Sequence, residues 1–253
     1  MFFAPAKEYS CRLHMSNPID QRARNRLLAR IRRRFDVITR ELSIGPLVIP
    51  FTQITNPDRV LDMVCDEADQ REKTSGKRQH DDDLHLPYWA ELWDSAVGLG
   101  EYLCSHRSSL ATRCSVLDLG CGQGLAGAVA AALGYPVLLA DVEPDALLLA
   151  RLNTQQFSDV HVRRLDWRRD RLDEEFDLIL GADVLYDKSQ WPYLDLFWQA
   201  HLARQGSVLL GEPGRQTGEM FLEWVRSRPW KLERAEQRIA SREKPIRLFR
   251  LFR

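Results

Sequence analysis

Val116-Leu117-Asp118-Leu119-Gly120-Cys121-Gly122-Gln123-Gly124-Leu125 decides the fold of this chain. A short apolar run carrying one acid reads as a strand. Glycines then stand at every second position and lead into an alanine-rich stretch with helical character. Glycine there permits positive φ and lets a ligand approach the backbone without interference from a Cβ. Such a loop lies at the C-terminal end of a strand, where open α/β sheets bind their ligands.

Two ligand classes fit a loop of this kind. Gly122, Gly124 and Gly127 match the spacing of a dinucleotide fingerprint, which alone is weak. A pyrophosphate needs bare amides at a helix N-terminus, and Asp118 at the loop entrance repels it. A cofactor with an amine and a sulfonium and no phosphate would welcome that carboxylate. S-adenosylmethionine (SAM) is such a cofactor.

Outward from the loop, apolar runs at 136–141, 160–164, 176–182 and 207–211 alternate with helical stretches near 123–133, 144–156, 189–203 and 216–226. Alternation of this sort predicts an α/β fold with a mostly parallel sheet covered on both faces. Residues 230–239 and 245–252 predict an antiparallel hairpin at one edge. Asp141 ends the second strand about 20 residues after the loop, where an acid accepts hydrogen bonds from both ribose hydroxyls. Asp166 follows the third strand and is placed to meet an adenine amino group, with Trp167 as a stacking neighbour. The competing reading of Asp141 and Asp166 is that each caps a helix or a turn.

The 253 residues hold 36 basic and 36 acidic side chains. The zero sum is uneven: residues 1–40 carry a net +7 and residues 58–101 a net −7. No apolar run is long enough to span a bilayer, and residues 1–15 lack the apolar core of a secretory signal. Five scattered cysteines without a C-x-x-C pair argue for a reducing cytoplasm and against a disulfide framework or a zinc site. His80 and His85 around Asp81–Asp83 read as a solvated linker, so no metal is expected. Upstream, Asn17-Pro18 predicts a helix start, and apolar residues from Leu27 to Leu42 extend its buried face between many arginines. Residues 44–54 suggest an edge strand or hairpin, 60–65 a short helix, and 70–85 a mobile linker. The expected division is an extension over 1–85 and a catalytic domain over 86–253.

The loop, Asp118 and Asp141 resemble the class I, seven-strand SAM-dependent methyltransferases. More narrowly, Leu86-Pro-Tyr-Trp-Ala-Glu-Leu-Trp-Asp-Ser-Ala96 and Gly181-Ala-Asp-Val-Leu-Tyr186 are similar to methyltransferase family 16, which includes many protein lysine methyltransferases. Gly211-Glu-Pro-Gly-Arg215 resembles the branch containing the electron-transfer-flavoprotein β-subunit lysine methyltransferase. The resemblance implies a Rossmann-like twisted sheet of order 3-2-1-4-5-7-6 with the last strand antiparallel. It implies that Trp93 contacts the cofactor, that Asp118 and Gly120 meet its methionine part, and that Asp141 meets the ribose. Asp183 and Tyr186 would border the acceptor pocket, with Glu212 as a second candidate there. The expected activity is methyl transfer to nitrogen, foremost a lysine of a protein partner. A small-molecule amine or RNA is the alternative acceptor, and a non-catalytic SAM-fold binding module is the rival from another class. No membrane partner is expected. The Arg-rich helix reads either as a solvated face, as a handle for an anionic partner, or as a lid on the chain's own acidic segment.

Overall fold

Short β-branched and leucine-rich runs separated by glycine and proline punctuate the chain from residue 114 onward, and each becomes a strand. In a computed structural model, which describes residues 20–75, 86–109 and 114–253, these runs are β3 (Val116–Leu119), β4 (Val137–Asp141), β5 (Val160–Arg164), β6 (Phe176–Ala182), β7 (Leu202–Glu212), β8 (Lys231–Gln237) and β9 (Ile246–Phe252). They form one sheet in the order β5-β4-β3-β6-β7-β9-β8. Counted from β3, that is the expected order 3-2-1-4-5-7-6. β9 runs antiparallel to both its neighbours, and the other pairings are parallel.

The helices between the strands are α3 (Asp94–Ser105), α4 (Leu125–Ala132), α5 (Pro144–Thr154), α6 (Trp191–His201) and α7 (Gln216–Val225). Alternation along each strand sends side chains to opposite faces. Val116, Leu139, Leu178 and Leu209 join α3, α4 and part of α5 in one apolar cluster. Leu117, Leu138, Ile179 and Val208 join Trp191, Phe197, Trp198 and Phe221 of α6 and α7 in the other. Asp118 shares the face of Val116 and so points beneath α4. Among the described residues no helix is long and apolar enough to cross a membrane.

Before this sheet stand α1 (Gln21–Arg32), the hairpin β1 (Val37–Ile44) and β2 (Leu47–Ile54), and α2 (Pro57–Ser75). The helix expected to run on toward Leu42 ends at Arg32, and Val37–Ile44 is strand. The apolar repeat through Phe35 and Ile38 misled because its spacing also suits a helix end followed by a half-buried strand. Asn17-Pro18 lies outside the described residues; the N-cap is Asp20, whose carboxylate accepts from the amides of Arg22 and Ala23. Gly45 takes a positive φ of 54° in the two-residue turn that joins β1 to β2, as a primed hairpin turn demands at its first position. The helix begun at Pro57 is longer than expected, so residues 70–75 are helical and not linker.

The hairpin shares the core of the sheet. Ile44, Leu47, Ile49 and Phe51 are buried in the same cluster as Leu99, Val129 and Ala150. Ile31 and Phe35 lie against Leu149 and Leu152 of α5 in a third cluster that includes Trp89.

Candidate functional site

The turn after β3 is built from backbone hydrogen bonds that only a glycine-rich sequence can reach. Gly120 and Cys121 donate their amides to the Ala140 carbonyl at 2.8 and 3.0 Å, tying the loop to the end of β4. Gly124 caps α4 with φ +85°. A Cβ there would stand 2.9 Å from Leu139 Cδ2 and 3.1 Å from Ala150 Cα, so neither the conformation nor the space admits another residue. The loop is the floor of a cleft of about 330 Å³ at the C-terminal edge of the sheet.

Asp118 is 1% exposed. Its Oδ2 accepts from the Gly127 amide at 2.8 Å, and its Oδ1 is buried with no partner. Burial is the main reason its carboxyl is pushed up to about 7, against the pull of the Gly127 amide. Asp118 stands behind the loop and is not a wall of the cleft. Asp141 does line the cleft. It also caps: Oδ2 accepts from Gly122 N at 2.8 Å and Oδ1 from Glu143 N at 3.0 Å. Burial raises its carboxyl, opposed by those amides. The capping reading is thus met, and the carboxylate's place in the cleft wall is where a ribose contact would require it.

Asp166 does not line the cleft. Its carboxylate accepts from the Arg168 amide at 2.9 Å and from the Arg168 guanidinium at 3.1 Å, which closes its own turn. These are the contacts of the capping reading. Trp167 reaches the cleft, held by its indole N–H on Gln190 Oε1 at 3.2 Å. Trp89 and Trp93, four residues apart, do not share a helix. Trp89 sits in a 3₁₀ turn (Tyr88–Ala90), buried edge-on to Phe35 at 5.4 Å. Trp93 precedes α3 in extended conformation, donates to the Tyr88 carbonyl at 2.8 Å, and lines the cleft.

Asp183 and Tyr186 stand on the far side, beyond β6. Asp183 has left-handed backbone, φ 56°, with its amide on the Gly211 carbonyl at 2.9 Å. A non-glycine residue held there is strained, and such strain clusters at functional sites. Burial pushes its carboxyl up to about 6, with the Arg215 guanidinium pulling the other way. Tyr186 meets the Tyr88 ring at 5.1 Å. Glu212 lies elsewhere: it accepts from the amides of Gly214 and Arg215 and from the Arg247 guanidinium. It holds the Arg215 turn and does not face the cleft.

Three contributors escape a sequence reading. Arg215 sits inside a quoted motif, yet only the fold brings its guanidinium to Asp183. Gln123 and Asn153 tie the hairpin to the loop. Asn153 accepts from Thr52 N at 2.8 Å and donates to Thr52 O and Gln123 O at 2.9 Å. Gln123 accepts from Ile54 N at 3.2 Å and donates to the Ala90 carbonyl at 2.8 Å. No local signal marks a partnership across a hundred residues.

Among the described residues the cleft is lined by four acids, Glu91, Asp141, Glu143 and Asp183, and one cation, Arg215. That balance, with the unpartnered Asp118 oxygen behind the floor, suits ligands bearing positive charge and disfavours a pyrophosphate.

The lysine methyltransferase family model matches residues 82–227, more than half of the chain. The protein N-lysine methyltransferase METTL21A of Xenopus tropicalis is 39% identical over 130 residues, 48% of this chain and 58% of that protein. The electron transfer flavoprotein beta subunit lysine methyltransferase of Danio rerio is 32% identical over 135 residues, 51% of each. The chain thus spans little more than half the length of these relatives. Among solved structures, the glycopeptide N-methyltransferase MtfA complexed with S-adenosyl-L-homocysteine aligns with a TM-score of 0.52 at 13% identity. That alignment covers 62% of this chain and 90% of MtfA, a likeness of fold alone. By fold, cleft and family model together, this chain belongs to the lysine methyltransferase family.

Proposed function

We propose that the chain is a SAM-dependent N-methyltransferase whose acceptor is a lysine side chain of a protein. The acid-lined cleft over the glycine loop carries this reading, and membership of the family supports it. When bound, the cofactor supplies an electrophilic methyl group on a sulfonium, open to in-line attack by an amine. Asp141 would hold the ribose, Trp93 and Trp167 would flank the cofactor, and Gly120, Gly122 and Gly124 would let it lie against the backbone. Asp118, behind the floor, would favour the methionine ammonium by its charge through the loop and not by direct contact.

Asp183 orients the acceptor. With its carboxyl near 6 it is mostly ionised at neutral pH, so it attracts an ammonium and holds the nitrogen toward the cleft. A carboxylate also stabilises the protonated amine, so Asp183 positions and does not serve as the base. Tyr186 supplies a wall. Placement of this sort accounts for acceleration through proximity and orientation, while the positive cofactor and a dry pocket favour the neutral amine.

Incubation with methyl-labelled SAM and whole-cell protein tests the reading. Methyl-lysine in a protein band, identified by mass spectrometry, supports it. Label confined to RNA, small molecules or methyl-arginine overturns the assigned acceptor, and an absence of SAM binding by calorimetry overturns the cofactor.

A further inference from the structure

The outer face of α1 has no place in the chemistry above. Arg22, Arg26, Arg30 and Arg33 recur at intervals of four, four and three, and all are exposed. At helical pitch they fall within a sector of about 80°, in a row rising about 6 Å per step. Two other arginines nearby are engaged. Arg24 donates to the Leu152 carbonyl at 3.1 Å, and Arg34 pairs with Asp145 at 2.7 Å and Glu67 at 3.3 Å. Asp36 is taken by Arg59. Among the described residues the four guanidiniums of the row form no ion pair.

The chemistry of the face discriminates between partners. The remaining exposed residues of α1 are Gln21, Asn25, Ala29 and Arg32, with no aromatic or large aliphatic side chain. Protein interfaces centre on aromatic anchors and exclude charge from their core. Nucleic-acid interfaces are polar and strongly positive. The guanidinium fork suits phosphate oxygens, and a repeating row of them suits a repeating anion. Lacking aromatic platforms, the face is unsuited to unstacked single strands.

We propose that this face of α1 docks the phosphate backbone of double-stranded nucleic acid, without base readout. The docking is independent of methyl transfer and stands or falls separately from it. Fluorescence anisotropy of the full chain with a labelled DNA duplex and with an RNA duplex tests it across a salt series. Four phosphate contacts predict a log–log salt slope of about −3 to −4. Each Arg→Gln change in the row should reduce that slope by about one, and the combined Arg22→Gln/Arg26→Gln/Arg30→Gln/Arg33→Gln variant should bring it near zero. SAM binding and thermal midpoint of that variant should stay as in the parent. The duplex bound more tightly at equal salt identifies the natural source of the phosphates.

Failure to bind either duplex, or a slope untouched by the fourfold change, overturns the proposal. So does tighter binding of polyglutamate than of either duplex, which would make the partner an acidic protein. Binding that emerges only in Asp81→Asn/Asp82→Asn/Asp83→Asn would show the face covered by the chain's own acids, and the proposal would fail.

Discussion

The Arg215 guanidinium lies 2.7 Å from Asp183 Oδ2 and 5.1 Å from the centre of the Trp93 ring. A cation of this chain thus rests where an acceptor ammonium is proposed to go, between the carboxylate and an aromatic face. Glu212 fixes the turn that carries it.

Replacing that cation should shift a titration. Asp183 stands near 6 because burial raises it more than Arg215 lowers it. In Arg215→Gln the counter-charge is gone, so the carboxyl rises further and its ionised fraction at neutral pH falls. The acidic limb of the kcat/KM profile for methyl transfer should move upward by about one pH unit. A limb that stays in place would mean that Asp183 does not control acceptor capture.

Asp118 makes a prediction about stability and protons. Its folded value of about 7 exceeds the unfolded carboxyl value of about 3.9. Between those values the native state keeps a proton that the unfolded chain has lost, so stability falls as pH rises through this window. Asp183 adds the same sign up to about 6. Urea titrations of the cofactor-free protein should therefore show falling stability from pH 5 to pH 8, and Asp118→Asn should flatten the upper part. A cationic ligand beside Asp118 stabilises its ionised form, so SAM binding at neutral pH should release a proton. Calorimetry in buffers of different ionisation enthalpy reads that proton directly; equal heats after buffer correction would separate Asp118 from the cofactor.

Tyr186 should prove a wall. Burial pushes its hydroxyl up to about 12 even though part of the ring is open to solvent, so it stays neutral at working pH. Loss of a general base costs about 100-fold or more. Tyr186→Phe should fall well short of that in kcat, whereas Tyr186→Ala should raise the acceptor's KM by removing the ring that meets Tyr88.

Asn153→Ala should cost about 2–4 kcal/mol, because Thr52 N, Thr52 O and Gln123 O each lose a buried partner. The shift in urea midpoint at unchanged slope measures it. A loss below about 1 kcal/mol would mean that the hairpin is held by its apolar face alone.

Local pattern made the sheet legible. Strand-ending acids and alternate glycines follow from contacts within a few residues, so β3 to β9, the loop and Asp141 could be read directly. The direction in which a strand-end acid faces could not. Asp118 is next to last in β3 and Asp141 last in β4, yet one lies behind the floor and the other on the wall. Asp166 has a competing donor two residues away, which spacing alone cannot weigh. Ile38 and Leu42 fit a helix stripe as well as a strand face, and only the pairing of Val37 with Ile54 decides. Arg215 meets Asp183 across 32 residues, and no periodicity encodes that.

The link from Thr52 to Asn153 spans 101 residues, and it bears on the order in which the molecule assembles. During synthesis the hairpin emerges long before α5. Two strands alone are marginal in water, and Ile49 and Phe51 must wait uncovered for α4 and α5. Nascent chains arrested before residue 150 should be sensitive to protease within 37–54, and release past α5 should protect that segment. The floor of the cleft then becomes rigid only when the oldest and the newer parts of the chain meet, so ligand capacity arrives late and all at once.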